Sequence, residues 1–215
     1  MKVVDLIERF NKRGVQIRKE IEMQKDLFWN KFLAHRQVLI EYGYLKDDYP
    51  TESGKTASQI RSENELFISE IMFSGILEGL TPAELASVIC AVTTEDVRAD
   101  MYLHLPLSLP VKKVLNKVKD IKRKLERIQS DNNVEDALYI NSYYCPLIEL
   151  WVIGEDWEEI MNQAGDTGEG DVVRTFKRVV DVLRQFTTID NVPEALVFTA
   201  REAINKILRE PIDAD

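Results

Sequence analysis

The chain has 215 residues, 45% of them hydrophobic, and 28 Lys and Arg against 37 Asp and Glu give a formal net charge of −9. That is material for one core or two small ones, and the acidic balance counts against a free-standing nucleic-acid binder, which is usually basic. No run approaches the ~18 apolar residues of a membrane span, and the opening "MKVVDLIERF" carries acids early and lacks the apolar stretch of a signal peptide.

Cys90 and Cys145 sit in apolar surroundings and read as reduced core thiols, which points to an intracellular protein. Two His and two Cys, far apart, make a zinc site unexpected.

In chain order, most of the sequence reads as helix. Val3, Leu6, Ile7 and Phe10 share one face of a short first helix that Gly14 is expected to interrupt. Ile17, Ile21, Leu27, Phe28, Phe32, Val38 and Leu39 then recur at helical spacing as far as Gly43. Residues 1–30 are read as a charged extension or linker, residues 31–210 as the main domain and residues 211–215 as a tail.

From Tyr42 to Ile60 the periodicity breaks, and a loop or short hairpin, or a wing, is expected near residues 42–57. This stretch contains "PTESGKTASQ", whose Gly-Lys-Thr resembles the end of a nucleotide-binding P-loop. The spacing excludes that reading. Five residues before Gly54 stands Tyr49 rather than Gly, Pro50 removes a backbone donor, and no buried strand precedes it. Gly54 and Lys55 are instead expected in a solvated turn before the next helix.

That helix covers "ENELFISEIMFSGIL", with Leu66, Ile68, Ile71, Met72 and Ile76 inward. "LTPAELASVICAV" opens with Thr81 as N-cap, Pro82 at the first helical position and Glu84 placed for a capping box. It runs to about Val92, and Glu95 and Asp96 follow in a surface loop. "MYLHLPLSLP" is a connector. "VKKVLNKVKDIKRKLER" then forms a long amphipathic helix with eight Lys or Arg on its outer side, lined inside by Val111, Val114, Leu115, Val118, Ile121, Leu125 and Ile128. Its basic face is either a track for a nucleic-acid backbone or a solvated face offset by acidic neighbours. A further helix is expected over about 135–153, kinked or restarted near Pro146, and a last one over about 193–209.

Residues 155–186 give the strongest local signal. "DWEEIMNQA" buries Trp157, Ile160 and Met161, "GDTGEG" makes a turn, and a longer helix capped by Asp171 buries Val172, Val173, Phe176, Val179, Val180 and Leu183. This outlines a helix-turn-helix-like unit. Arg174 and Arg178 lie off its apolar stripe, four residues apart, and can face one phosphate or base ligand; ordinary surface arginines on an αα-corner are the alternative. His35, His104 and the three tryptophans read as packing residues. The fold class is mainly all-α, a multi-helix bundle.

Three blocks in order carry a resemblance: "RQVLIEYGYL…SGKTASQI", "NELFISEIMFSGILEGLTPAELASVICAVTTED" and "LIELWVIGEDWEEIMNQAGDTGEGDVVRTFKRVVDVLRQF". Together they resemble the DSHCT domain, the C-terminal helical domain of superkiller- and HelY-type DExH-box RNA helicases. "AVTTED" stands where aromatics are frequent in the family, Lys177-Arg178 where Arg-Arg is frequent, and the end "EPIDAD" lacks the apolar finish of the eukaryotic nuclear members, so the chain looks nearer the bacterial and plastid branch.

The resemblance implies an accessory domain that packs on the two RecA-like motor domains of the same polypeptide and helps close a channel for single-stranded RNA. Arg174 and Arg178 would face that channel, with Glu95 and Asp96 approaching the RNA. It implies no catalysis by this chain and no cofactor in it, ATP and Mg being held by the upstream motor. It implies a cytoplasmic or plastid-stromal location and no membrane partner. The alternative function is a stand-alone helix-turn-helix regulator or a helical interaction scaffold. The turn "GDTGEGD" carries three acids that would face nucleic-acid phosphates badly.

Overall fold

A computed structural model describes residues 2–95 and 105–213 of the chain, with backbone alone for 2–6. Its described residues form nine helices and one two-stranded hairpin. The mainly helical architecture and the hairpin agree with the sequence reading.

Helix α1 (Lys2–Glu41) is continuous, so Gly14 does not interrupt it. Nothing lies within 4 Å of where its Cβ would be. A glycine inside an exposed helix costs about 1 kcal/mol relative to Ala, too little to break forty residues. Only the C-terminal end of α1 joins the bundle, where Val38 is 3% exposed.

The hairpin pairs β1 (Leu45–Lys46) with β2 (Tyr49–Pro50) in antiparallel register, Leu45 opposite Pro50 and Lys46 opposite Tyr49. Asp47 and Asp48 form its two-residue loop at φ 50° and 69°, the left-handed pair that a type I′ turn demands. Asp48 is held by Arg36 of α1, whose guanidinium keeps that carboxyl below its usual range. The look-alike P-loop residues are not a turn. They lie inside a short helix, α2 (Glu52–Ala57), capped by Thr51, whose Oγ1 accepts the Gly54 N–H at 3.1 Å.

Helix α3 (Glu65–Phe73) buries Phe67, Ile68, Ile71 and Met72. Helix α4 (Pro82–Thr93) opens on the expected capping box, with Thr81 and Glu84 satisfying each other's backbone donors at 2.8 and 3.3 Å. Nine of its twelve residues are buried. A helix apolar on every side belongs in the middle of a domain, and α4 packs on α5 (Leu109–Asp131), α6 (Cys145–Ile153), α8 (Glu169–Phe186) and α9 (Glu194–Ile207).

Helix α6 begins at Cys145 with Pro146 in its first turn, and residues 135–144, expected as helix, are not helical. They run as an irregular strap whose Asn141 N–H bonds the Ala91 carbonyl at 2.8 Å. That bond serves the C-terminal end of α4, where carbonyls lack intrahelical partners. Cys90 and Cys145 are free and buried, and burial pushes the Cys145 thiol well up.

Two of the residues read as packing are not. Trp29 is 60% exposed and only stacks on Phe32. His35 is exposed and links the Lys31 carbonyl (2.8 Å) to Asp136 (3.0 Å). His104 lies outside the described residues. Trp151 is core, donating its Nε1–H to the Ile207 carbonyl at 2.9 Å. Arg209 lies over its ring at 3.4 Å and donates to the Trp151 and Glu155 carbonyls, closing the C-terminal end of α6.

Candidate nucleic-acid interface

The helix-turn-helix-like unit consists of α7 (Trp157–Ala164), a glycine turn and α8. Trp157 meets Trp151 and Phe176 edge-on at 5.3 and 6.4 Å and donates its Nε1–H to Glu169 at 2.8 Å. Buried Thr167 holds the turn to the strap through Tyr143 at 2.7 Å.

Asp171 does not cap α8. The helix begins two residues earlier, with Gly168 as N-cap and no side-chain cap bond. Asp171 therefore sits in the first turn, where its charge suits the helix dipole, and pairs with Arg174 at 3.4 Å.

Val172, Phe176, Val179, Val180 and Leu183 lock α8 into the core. Its outer face then carries Arg174, Arg178, Asp181 and Gln185 along one row, at spacings of four, three and four. Both arginines expected from sequence are there and face solvent, with side chains 68% and 46% exposed.

Arg178 meets Glu95 at 3.3 Å. The pair joins the outer face of α8 to the segment after α4. Glu95 is itself held from behind, its carbonyl accepting the Asn141 Nδ2–H at 3.0 Å. Asp96 lies outside the described residues.

A cavity of about 190 Å³ opens beside this pair, between the segment after α2, the end of α4 and α8. Arg61, Asn64, Tyr139, Glu95, Arg178 and Gln185 are among its walls. Gln185 clasps the Arg61 backbone, accepting its N–H at 2.6 Å and donating to its carbonyl at 3.0 Å. Sequence reasoning missed Arg61, Asn141 and Gln185. The helical row from Arg174 pointed to Gln185. Arg61 and Asn141 come from distant segments, and only tertiary packing brings them to the site.

The ion pairs on this face are solvent-exposed, and such pairs are worth about 0–1 kcal/mol. Arg174 and Arg178 are therefore available to an incoming anion at little cost. A guanidinium can engage phosphate or a base edge with two parallel N–H groups.

The family model of the DSHCT (NUC185) domain matches residues 47–214. The chain belongs to the DSHCT domain family. This DSHCT chain is 26% identical to a chloroplastic DExH-box ATP-dependent RNA helicase of Arabidopsis thaliana, over 97% of its own length and 18% of that protein. It is 26% identical to the probable helicase HelY of Mycobacterium leprae, over 97% of its own length and 24% of that protein. It is 27% identical to the ATP-dependent RNA helicase mtr4 of Schizosaccharomyces pombe, over 71% of its own length and 14% of that protein. The chain thus spans a quarter or less of each of these relatives. The hairpin turn, the α4 cap, the α7–α8 unit and the row from Arg174 to Gln185 all fall inside the DSHCT match, whereas α1 precedes it.

Proposed function

We propose that this DSHCT chain is the C-terminal accessory part of an ATP-dependent RNA helicase. In this reading it packs on RecA-like motor domains of the same polypeptide and lines the channel for single-stranded RNA. The observation that carries it is a rigid helix in the matched family region that shows solvent two arginines one turn apart. The kinship to proteins named RNA helicases supplies the ligand.

The chain does no chemistry in this reading, and ATP and Mg belong to the motor. Its part is grip. Arg174 and Arg178 contact phosphate or base, Glu95 orients Arg178, and Glu95 and Asp96 approach the RNA. Contacts of this kind are weak and salt-sensitive, which suits a strand that must be released at each step. Cytoplasm or plastid stroma is the proposed location. No helix of the described residues is long and apolar enough to cross a membrane.

Photo-crosslinking tests the placement. A photoreactive residue at position 178 in the motor-linked protein is expected to capture single-stranded RNA, and one at exposed Arg201 of α9 is not. Equal capture at both positions sinks the channel-wall role.

A further inference from the structure

Helix α5 carries a second cationic surface that the channel reading does not use. Among its 23 residues are eight Lys or Arg against Asp120, Glu126 and Asp131, a local charge of +5 in a chain of −9. Among the described residues no other element supplies it with a carboxylate partner. Its carboxylate partners among the described residues are its own, Lys122–Glu126, Arg123–Asp120 and Arg127–Asp131.

Lys112, Lys113, Lys117 and Lys119 are all exposed, and no carboxylate of the described residues lies within 4.0 Å of them. Lys112 and Lys119 share one row and Lys113 and Lys117 another, so the four ammonium groups track about 10 Å of helix. Val111, Val114, Leu115 and Val118 are buried beneath them and fix the helix.

The charges also run against the helix. The first turn has no acid and the last turn no base, while Lys112 and Lys113 follow close on the N-terminus. A helix dipole favours the reverse order. A local rule broken without folding gain is a mark of function.

We infer that the exposed lysine face of α5 binds the phosphate backbone of RNA, outside the proposed channel. It rests on the RNA-helicase reading for the identity of the polyanion. The exposed positions from Lys112 to Arg123 are all polar, and Leu109 at the helix start is the one exposed large apolar side chain beside them, too little for the apolar core that a protein interface needs. Lysines without aromatics give sequence-independent phosphate contacts. Fifteen residues separate Lys119 from the strap at 135–144, and the lysine face of α5 and the row on α8 belong to separate helices.

The experiment is fluorescence anisotropy of this chain with a labelled 20-nucleotide oligouridylate, from about 50 to 200 mM salt. K112Q/K113Q/K117Q/K119Q is expected to bind at least about tenfold more weakly at low salt. Its log K against log salt should be shallower by about 2 to 3, four lost phosphate contacts at ~0.7 each. Its thermal unfolding should be unchanged or higher, because the dipole conflict is relieved. Unchanged RNA affinity and slope overturn the proposal, as does wild type that fails to bind at 50 mM salt. So does a variant that loses affinity for polyglutamate while keeping it for RNA, since that makes the face a protein contact. An Arg174→Ala/Arg178→Ala variant measured alongside separates the two surfaces. If it binds like wild type while the lysine variant does not, the α8 reading fails and this one stands.

Discussion

Gly54 lies inside α2, packed against the backbone of Tyr44. A Gly-Lys-Thr triplet looks like phosphate chemistry, and the spacing already denied it. The structure gives the glycine another reason. A Cβ at this position would fall inside contact distance of the Tyr44 carbonyl oxygen, and backbone cannot step aside as a side-chain end can. Gly54→Ala is therefore expected to destabilise the chain by about 1–3 kcal/mol, the range for an overpacked site. Urea unfolding checks it, and an unchanged midpoint would show that the hairpin yields freely. Arg174 and Arg178 were legible because helical periodicity separates inward from outward positions by sequence alone. Trp29 was not, because residue type says what a side chain prefers and not what lies opposite it. His35 was misread for the same reason, its partner Asp136 standing 101 residues away.

Among the elements, those with strong local chemistry were readable and those held by distant partners were not. The capping box of α4, the amphipathic face of α5 and the helix-turn-helix-like pair could be read because their signals lie within a few residues. The strap at 135–144 could not, since Asn141 gains its bond from the end of α4, fifty residues earlier in the chain. The junction of α6 with α4 and α5 carries a pH dependence. Burial raises the Glu149 carboxyl above its ordinary range, more than the opposing hydrogen bonds from Ser108 and Ser87 lower it. Its folded-state pKa is thus the higher one. Stability linked to it is complete below the unfolded value near about 4.3 and is lost as pH rises through the folded value. Glu149→Gln keeps the polar contacts and removes the ionisation. Its Tm should match wild type near about pH 4 and exceed it at neutral pH. A constant difference across that range would rule out this linkage.

Over the whole molecule, charge is segregated. Setting the +5 of α5 apart leaves −14 on the rest of a −9 chain, so an acidic protein still presents two cationic faces, one on α5 and a mixed one on α8. In the proposed function such a domain would supply grip without binding RNA tightly by itself, and a motor wall would complete the site. If α8 forms one side of the RNA channel, as proposed, unwinding by the motor-linked protein depends on its two arginines. Arg174→Glu with Arg178→Glu, both exposed and outside the core, should leave the fold intact and lower RNA-stimulated ATPase and strand separation. If the double variant unwinds RNA as fast as wild type, α8 does not line the channel.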